Sequence, residues 1–163
     1  MKKEPDIDKT AVIMRGAIIA GDVTIGKESS VRFNTCVRGD NNSIYIGNYT
    51  CIEENCVLHC PPEVPMKIGN GVTVGHGAIL HGCTIGDNTT IGMGAIVITG
   101  AVVGSNCLVG AGAVVTPKTV IPDGSLAVGN PAKVVRSLTP GEIEDNRTSS
   151  AMYAEAKEMY RDF

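Results

Sequence analysis

The chain contains no tryptophan, two phenylalanines and four tyrosines, so aromatic residues make up only 4% of its 163 positions. Its core cannot be built around large rings and must be filled by many small and branched side chains. No stretch approaches about 18 uninterrupted apolar residues, the length of a membrane-spanning helix. The start, Met-Lys-Lys-Glu-Pro-Asp, is charged but leads into no apolar segment of signal-peptide type. A soluble, cytoplasmic protein is therefore expected, with no membrane partner. A strong charge excess is also missing. The formal net charge is −3 and there is no basic run, which argues against nucleic acid as a partner. A charged fraction of 19% among plentiful Val and Ile argues against disorder. Six cysteines without a secretory signal are expected to be reduced thiols. One domain over 1–163 suits this length.

Glycine is abundant, at 20 residues, and apolar residues recur at a fixed interval. Branched anchors stand six apart at Ile13, Ile19, Ile25, Val31 and Val37, then Ile46, Ile52 and Leu58, then Ile68, Val74 and Leu80. A last series runs through Ile85, Ile91, Val97, Val103, Val109, Val115 and Ile121. The residue two before each anchor is small or β-branched at almost every step, as in Ala17, Thr35, Cys56, Ala95 and Ala113. A period of six fits neither a helix nor a hairpin array. It fits a short strand plus a turn, with the anchor and the residue two before it pointing the same way. Three such sides close into a triangular coil, and the anchors then make about six coils stacked at about 4.8 Å. Stacking buries a continuous core that no single repeat buries alone. The prism should span 11–128. Beyond it, Thr139-Pro140-Gly141-Glu142 reads as a capped helix start, opening a helical tail over 139–162. Its apolar face is sparse (Ile143, Met152, Tyr153, Ala156, Met159, Tyr160), and Thr148-Ser149-Ser150 is placed to split it in two.

The period breaks after Val37, Leu58 and Leu80, which all belong to the second side of the triangle. Loops over 38–43 and 60–67 should therefore leave one corner on consecutive coils, where function tends to sit. The residues directly after those anchors are Arg38, His59 and His81, stacked one coil apart. Two imidazoles at that spacing can turn onto one metal ion. His76 follows Gly75 on the first side, so within its own coil it belongs to a different corner. A third ligand from a neighbouring copy would complete the site, and three copies about a three-fold axis would make three equivalent sites. Three imidazoles with an open position suit Zn2+, with Fe2+, Co2+ or Ni2+ as alternatives.

The run Val37-Arg38-Gly39-Asp40, then Val57-Leu58-His59, then Val74-Gly75-His76 through His81-Gly82-Cys83-Thr84-Ile85-Gly86 resembles the γ-class carbonic anhydrases. The resemblance covers nearly the whole chain. It implies an all-β left-handed parallel β-helix with a C-terminal α-helix, a hand that spacing alone does not give, since parallel crossovers are normally right-handed. It also implies a homotrimeric lyase with His59 and His81 of one copy and His76 of the next on the metal. The activity implied is hydration of CO2 to bicarbonate by water that the metal has made acidic. In the family the Arg and Asp of R-G-D pair across the interface, which here means Arg38 and Asp40. The family glutamine that orients the water falls at Glu53, which accepts but does not donate when ionised. The family's acidic shuttle loop is reduced to a short Pro-rich segment with Glu63. A family tyrosine matches Tyr153, followed by Glu155 where the family has asparagine.

Cys56, Cys83 and Cys107 fall in inward slots, Cys36 and Cys51 precede anchors, and Cys60 follows His59 as a candidate metal-adjacent thiol. Two other functions fit parts of the pattern. One is a coenzyme-A-dependent acyltransferase with a histidine base, since Gly129-Asn130-Pro131-Ala132-Lys133 also occurs in that group. The other is an inactive, metal-clamped trimeric scaffold.

Overall fold

The computed structural model describes residues 3–160. Most six-residue periods form a strand of two or three residues and a turn. Side one stacks Val12–Ile13, Ser30–Val31, Cys51–Ile52, Thr73–Val74, Thr90–Ile91, Leu108–Val109 and Ser125–Val128 as parallel neighbours. Sides two and three belong to one sheet, because Ile18–Ile25 and Cys36–Ile46 run through the corner between them.

Every anchor from Ile25 to Ile121 is buried, and Ile13 and Ile19, in the first coil, are half-buried. On side two the inward row is Ile19, Val37, Leu58, Leu80, Val97 and Val115, each in parallel register with the next. Small inward slots let three sides meet closely, and the buried hydroxyls among them are hydrogen-bonded. Ser29 Oγ donates to the Gly47 carbonyl at 2.7 Å, Thr50 Oγ1 to Gly69 at 2.8 Å and Thr89 Oγ1 to Gly104 at 2.8 Å. Each thus bonds one coil further along rather than leaving a buried hydroxyl unpaired.

Three expectations change. The segment 38–43 is extruded only over its second part: Arg38 and Gly39 stay paired within the strand Cys36–Ile46, while 40–43 leave the ladder as a bulge. The strand pairs with the coil before it through Ala20 with Arg38 and Gly21 with Gly39, resuming at Val23 with Ile44 after the bulge. Gly39 is required there, since a Cβ would sit 2.5 Å from the Asp22 carbonyl oxygen. The tail is one helix, α1 (Pro140–Ala156), that runs unbroken through Thr148-Ser149-Ser150 into a short 3-10 turn, Lys157–Tyr160. Thr139 caps it, accepting from the Glu142 amide while Glu142 accepts from the Thr139 amide. Finally, the tail docks through polar as well as apolar groups: Met152 and Met159 are exposed, Ile143, Tyr153, Ala156 and Tyr160 are half-buried, and Asn146, Ser150 and Lys157 are buried. Asn146 donates to the carbonyls of Asn88 and Cys107 and accepts from Thr90, so polar bonds hold the helix on side one. A strand the periodicity did not announce, Lys133–Ser137, turns back antiparallel on Ser125–Val128. No helix among the described residues is long and apolar enough to cross a membrane.

Candidate metal centre

Parallel register places Arg38, His59 and His81 in one column at the corner after side two. The two imidazoles lie 5.2 Å apart between ring centroids, tilted by 49°. His81 Nδ1 is 2.8 Å from Thr99 Oγ1, on the next coil, which leaves Nε2 as its outward nitrogen. Burial, reinforced by the neighbouring His59 and Arg38 charges, holds His81 below its ordinary pKa and so favours the neutral imidazole. His59 Nε2 is 3.2 Å from both Asp40 Oδ1 and the Asn41 amide nitrogen. Arg38 Nη1 donates to Asp40 Oδ2 at 2.5 Å, and this bond is the main reason Asp40 sits below the usual carboxylate range. Within one chain, then, Arg38 and Asp40 pair with each other. Glu63 is exposed on the turn after His59, and the Pro62 carbonyl accepts from Asn42, which ties that turn to the neighbouring strand.

His76 stands at the other corner of side two, half-exposed, with Gly77 beside it at φ 68° turning the chain. Its Nε2 is 3.2 Å from Glu53 Oε2 and its Nδ1 is 2.7 Å from Glu54 Oε2, while its backbone N–H donates to Glu53 Oε2 at 3.1 Å. Glu53 is buried, and α1 brings Tyr153 to it. The Tyr153 hydroxyl, beside that carboxylate, is pushed up to about 12. Among the described residues no three His, Cys, Asp or Glu side chains of one chain converge as a metal-binding set.

The chain thus brings together His59, His81, Arg38 and Asp40 at one corner, and His76, Glu53 and Tyr153 at the other. Cys60 does not join the first group: it is buried, its thiol donates to the Asn42 carbonyl, and burial pushes its pKa up. Thr99, Asn41 and Glu54 were not singled out from the sequence. Thr99 had one available signal, its position one coil beyond His81.

A model described as "Bacterial transferase hexapeptide (six repeats)" matches residues 65–98 and 82–117. A Methanocaldococcus jannaschii protein named "Probable carbonic anhydrase" is 49% identical over 96% of this chain and 99% of its own. "Gamma carbonic anhydrase 1, mitochondrial" of Arabidopsis thaliana is 40% identical over 93% of this chain and 58% of its own. This chain belongs to the γ-type carbonic anhydrase family. As in other hexapeptide-repeat proteins its coils form a left-handed β-helix. A solved "hexapeptide transferase family protein" from Anaplasma phagocytophilum superposes with a TM-score of 0.92 at 39% identity, over 96% of this chain and 92% of that one. Within the γ-type family fold, the two corners of side two hold all three histidines of the sequence.

Proposed function

We propose that the chain is a metal-dependent γ-type carbonic anhydrase, acting as a homotrimer that hydrates carbon dioxide to bicarbonate at sites between copies. The observation that carries this reading is the division of the three histidines between the two corners of one face. Side two is bounded by His76 on one edge and by His59 with His81 on the other. Three copies with side two turned inward set each His76 corner against a neighbour's His59–His81 corner, a head-to-tail contact that closes as a ring. The face suits burial. Its outward row is Ile18, Cys36, Val57, Ile79, Ile96 and Val114, with Ile18, Val57 and Ile79 exposed by 61%, 42% and 41%. Side one is covered by α1, and side three mixes Thr24, Tyr45, Lys67 and Thr84 with its valines.

The donor set fits a divalent ion of the Zn2+, Fe2+, Co2+ or Ni2+ kind: three imidazoles, one of them with its second nitrogen already on a hydroxyl. Such an ion, when bound, lowers the pKa of water to about 7, which is the chemistry that hydration of carbon dioxide requires. Thr99 orients His81. Asp40, held by Arg38, and Asn41 border His59 on the open side of the corner. Glu53 holds the His76 turn by accepting from the His76 backbone N–H, and Tyr153 lies beside it. Hydration releases one proton for each bicarbonate formed, and Glu63, exposed on the turn after His59, is the loop carboxylate we assign to pass it to solvent.

Stopped-flow carbon dioxide hydration on anaerobically purified protein of known metal content tests this, with Zn2+ and Fe2+ forms compared. Turnover should scale with bound metal, and His81→Ala should lose both. A fully metallated, inactive trimer would move the reading to a scaffold or another electrophile. Acyl transfer that survives thorough chelation would replace it with the transferase.

A further inference from the structure

Resting on that reading, we infer that Arg32 and Glu54 form a positioning relay for His76, and that α1 sets it. His76 projects from a turn and, being half-exposed, has no packing to fix its ring. What meets it is polar. Glu54 Oε2 lies 2.7 Å from Nδ1, and Glu54 Oε1 lies 3.7 Å from Nη1 of Arg32, a guanidinium with only 9% of its side chain exposed. Arg32 is itself fixed on three sides. Its Nε donates to Cys51 Sγ at 3.3 Å, and its guanidinium carbon sits 4.9 Å from the Tyr153 ring centroid and 5.9 Å from that of Tyr160. Tyr160 in turn meets Phe33 edge-on at 5.9 Å, and the buried Lys157 amine donates to Glu28 Oε2 at 2.5 Å, fastening the end of the tail to the prism.

Glu54 Oε2 lies against Nδ1 as a charge contact without hydrogen-bond geometry, and Nε2 lies 3.2 Å from Glu53 Oε2, so two carboxylates bracket the ring and limit its rotation. A lone carboxylate could swing about its side-chain torsions. Arg32, drawing on the other oxygen, holds the carboxylate at one orientation, and the two tyrosines hold Arg32. The relay thus runs from the C-terminal tail, through Arg32 and Glu54, to the one ligand that crosses between copies.

The test uses the full-length protein and Co2+ as probe. Affinity is read by competition with a chromogenic chelator, geometry by the visible absorption of bound Co2+, and assembly by sedimentation. Glu54→Gln and Arg32→Met should each weaken Co2+ binding by about 10–100-fold and alter the absorption bands, with the trimer intact. The double variant should be little worse than either single one, because both break the same relay. Arg32→Lys, which keeps the charge, should recover part of the affinity. Because Arg32 is buried, Glu54→Gln at its half-buried position decides the matter should Arg32→Met not fold. Unchanged affinity and bands in Glu54→Gln would overturn the relay while leaving the metal centre standing. A wild-type chain that takes up no Co2+ would sink both.

Discussion

The two corners that bound side two carry the same side chain and handle it differently. At the His59–His81 corner, parallel register does the placing: residues one coil apart must lie side by side, so two ligands arrive together, supported by Thr99 and by Asp40 with Asn41. At the other corner His76 has no histidine above or below it, and its support is carboxylate, from Glu53 and Glu54. A β-helix readily stacks donors along one edge. It cannot bring two edges of one triangle together, and this difference between the corners is why the site we propose draws on a second copy.

The comparison can be broken most drastically at the face between the corners. Ile79→Glu would bury an unpaired carboxylate in the proposed contact at a cost on the order of 3 kcal/mol per copy. Sedimentation should show monomers with an unchanged far-ultraviolet spectrum, and metal should be lost with assembly. Breaking the support under the paired corner comes next. Leu80, fully buried directly before His81, should cost about 2–5 kcal/mol when replaced by alanine, read as a shift in denaturant midpoint. Thr99→Val, nearly isosteric, should leave stability close to wild type and weaken metal binding by about 10-fold, since only the His81 partner is removed.

The smallest effect concerns the covered face and sharpens the contrast between prism and tail. Glu142 is held at about 2, against an ordinary 4.5, first by its bond to Arg136 and then by the Thr139 backbone. A depressed carboxylate stabilises above its unfolded pKa, and that contribution is lost as the pH falls through its folded one. Amide protection factors in α1, taken relative to intrinsic exchange at each pH, should therefore fall between pH 4.5 and 2 before those of the side-two strands do.

Much of this was legible in the residues alone. A branched residue every sixth position has one economical solution, and the anchors from Ile25 to Ile121 are buried as the count requires. The column of Arg38, His59 and His81 followed from breaks in that count, as did the separation of His76. The tail was legible only at its start, where Thr139, Pro140 and Glu142 form a local motif. Its docking was not, because Asn146, Ser150 and Lys157 are polar residues buried by distant partners, and polarity along a helix ordinarily marks the face turned to water. Thr99 and Glu54 carried no distinguishing pattern of their own. Tyr153 came into view through the family resemblance, and its approach to Glu53 depends on where α1 lies.

By itself the sequence determined the coil, its period, the inward rows and the corner that stacks two imidazoles, because these depend on contacts between residues a fixed count apart. Only the tertiary structure decided that Arg38 and Gly39 stay in the sheet while 40–43 bulge from it, that α1 lies on side one, and that Arg32 reaches Glu54 beneath Tyr153. Those contacts join segments whose separation obeys no period, so they arise only when the finished prism offers one set of carbonyls, charges and rings to the chain that returns across it.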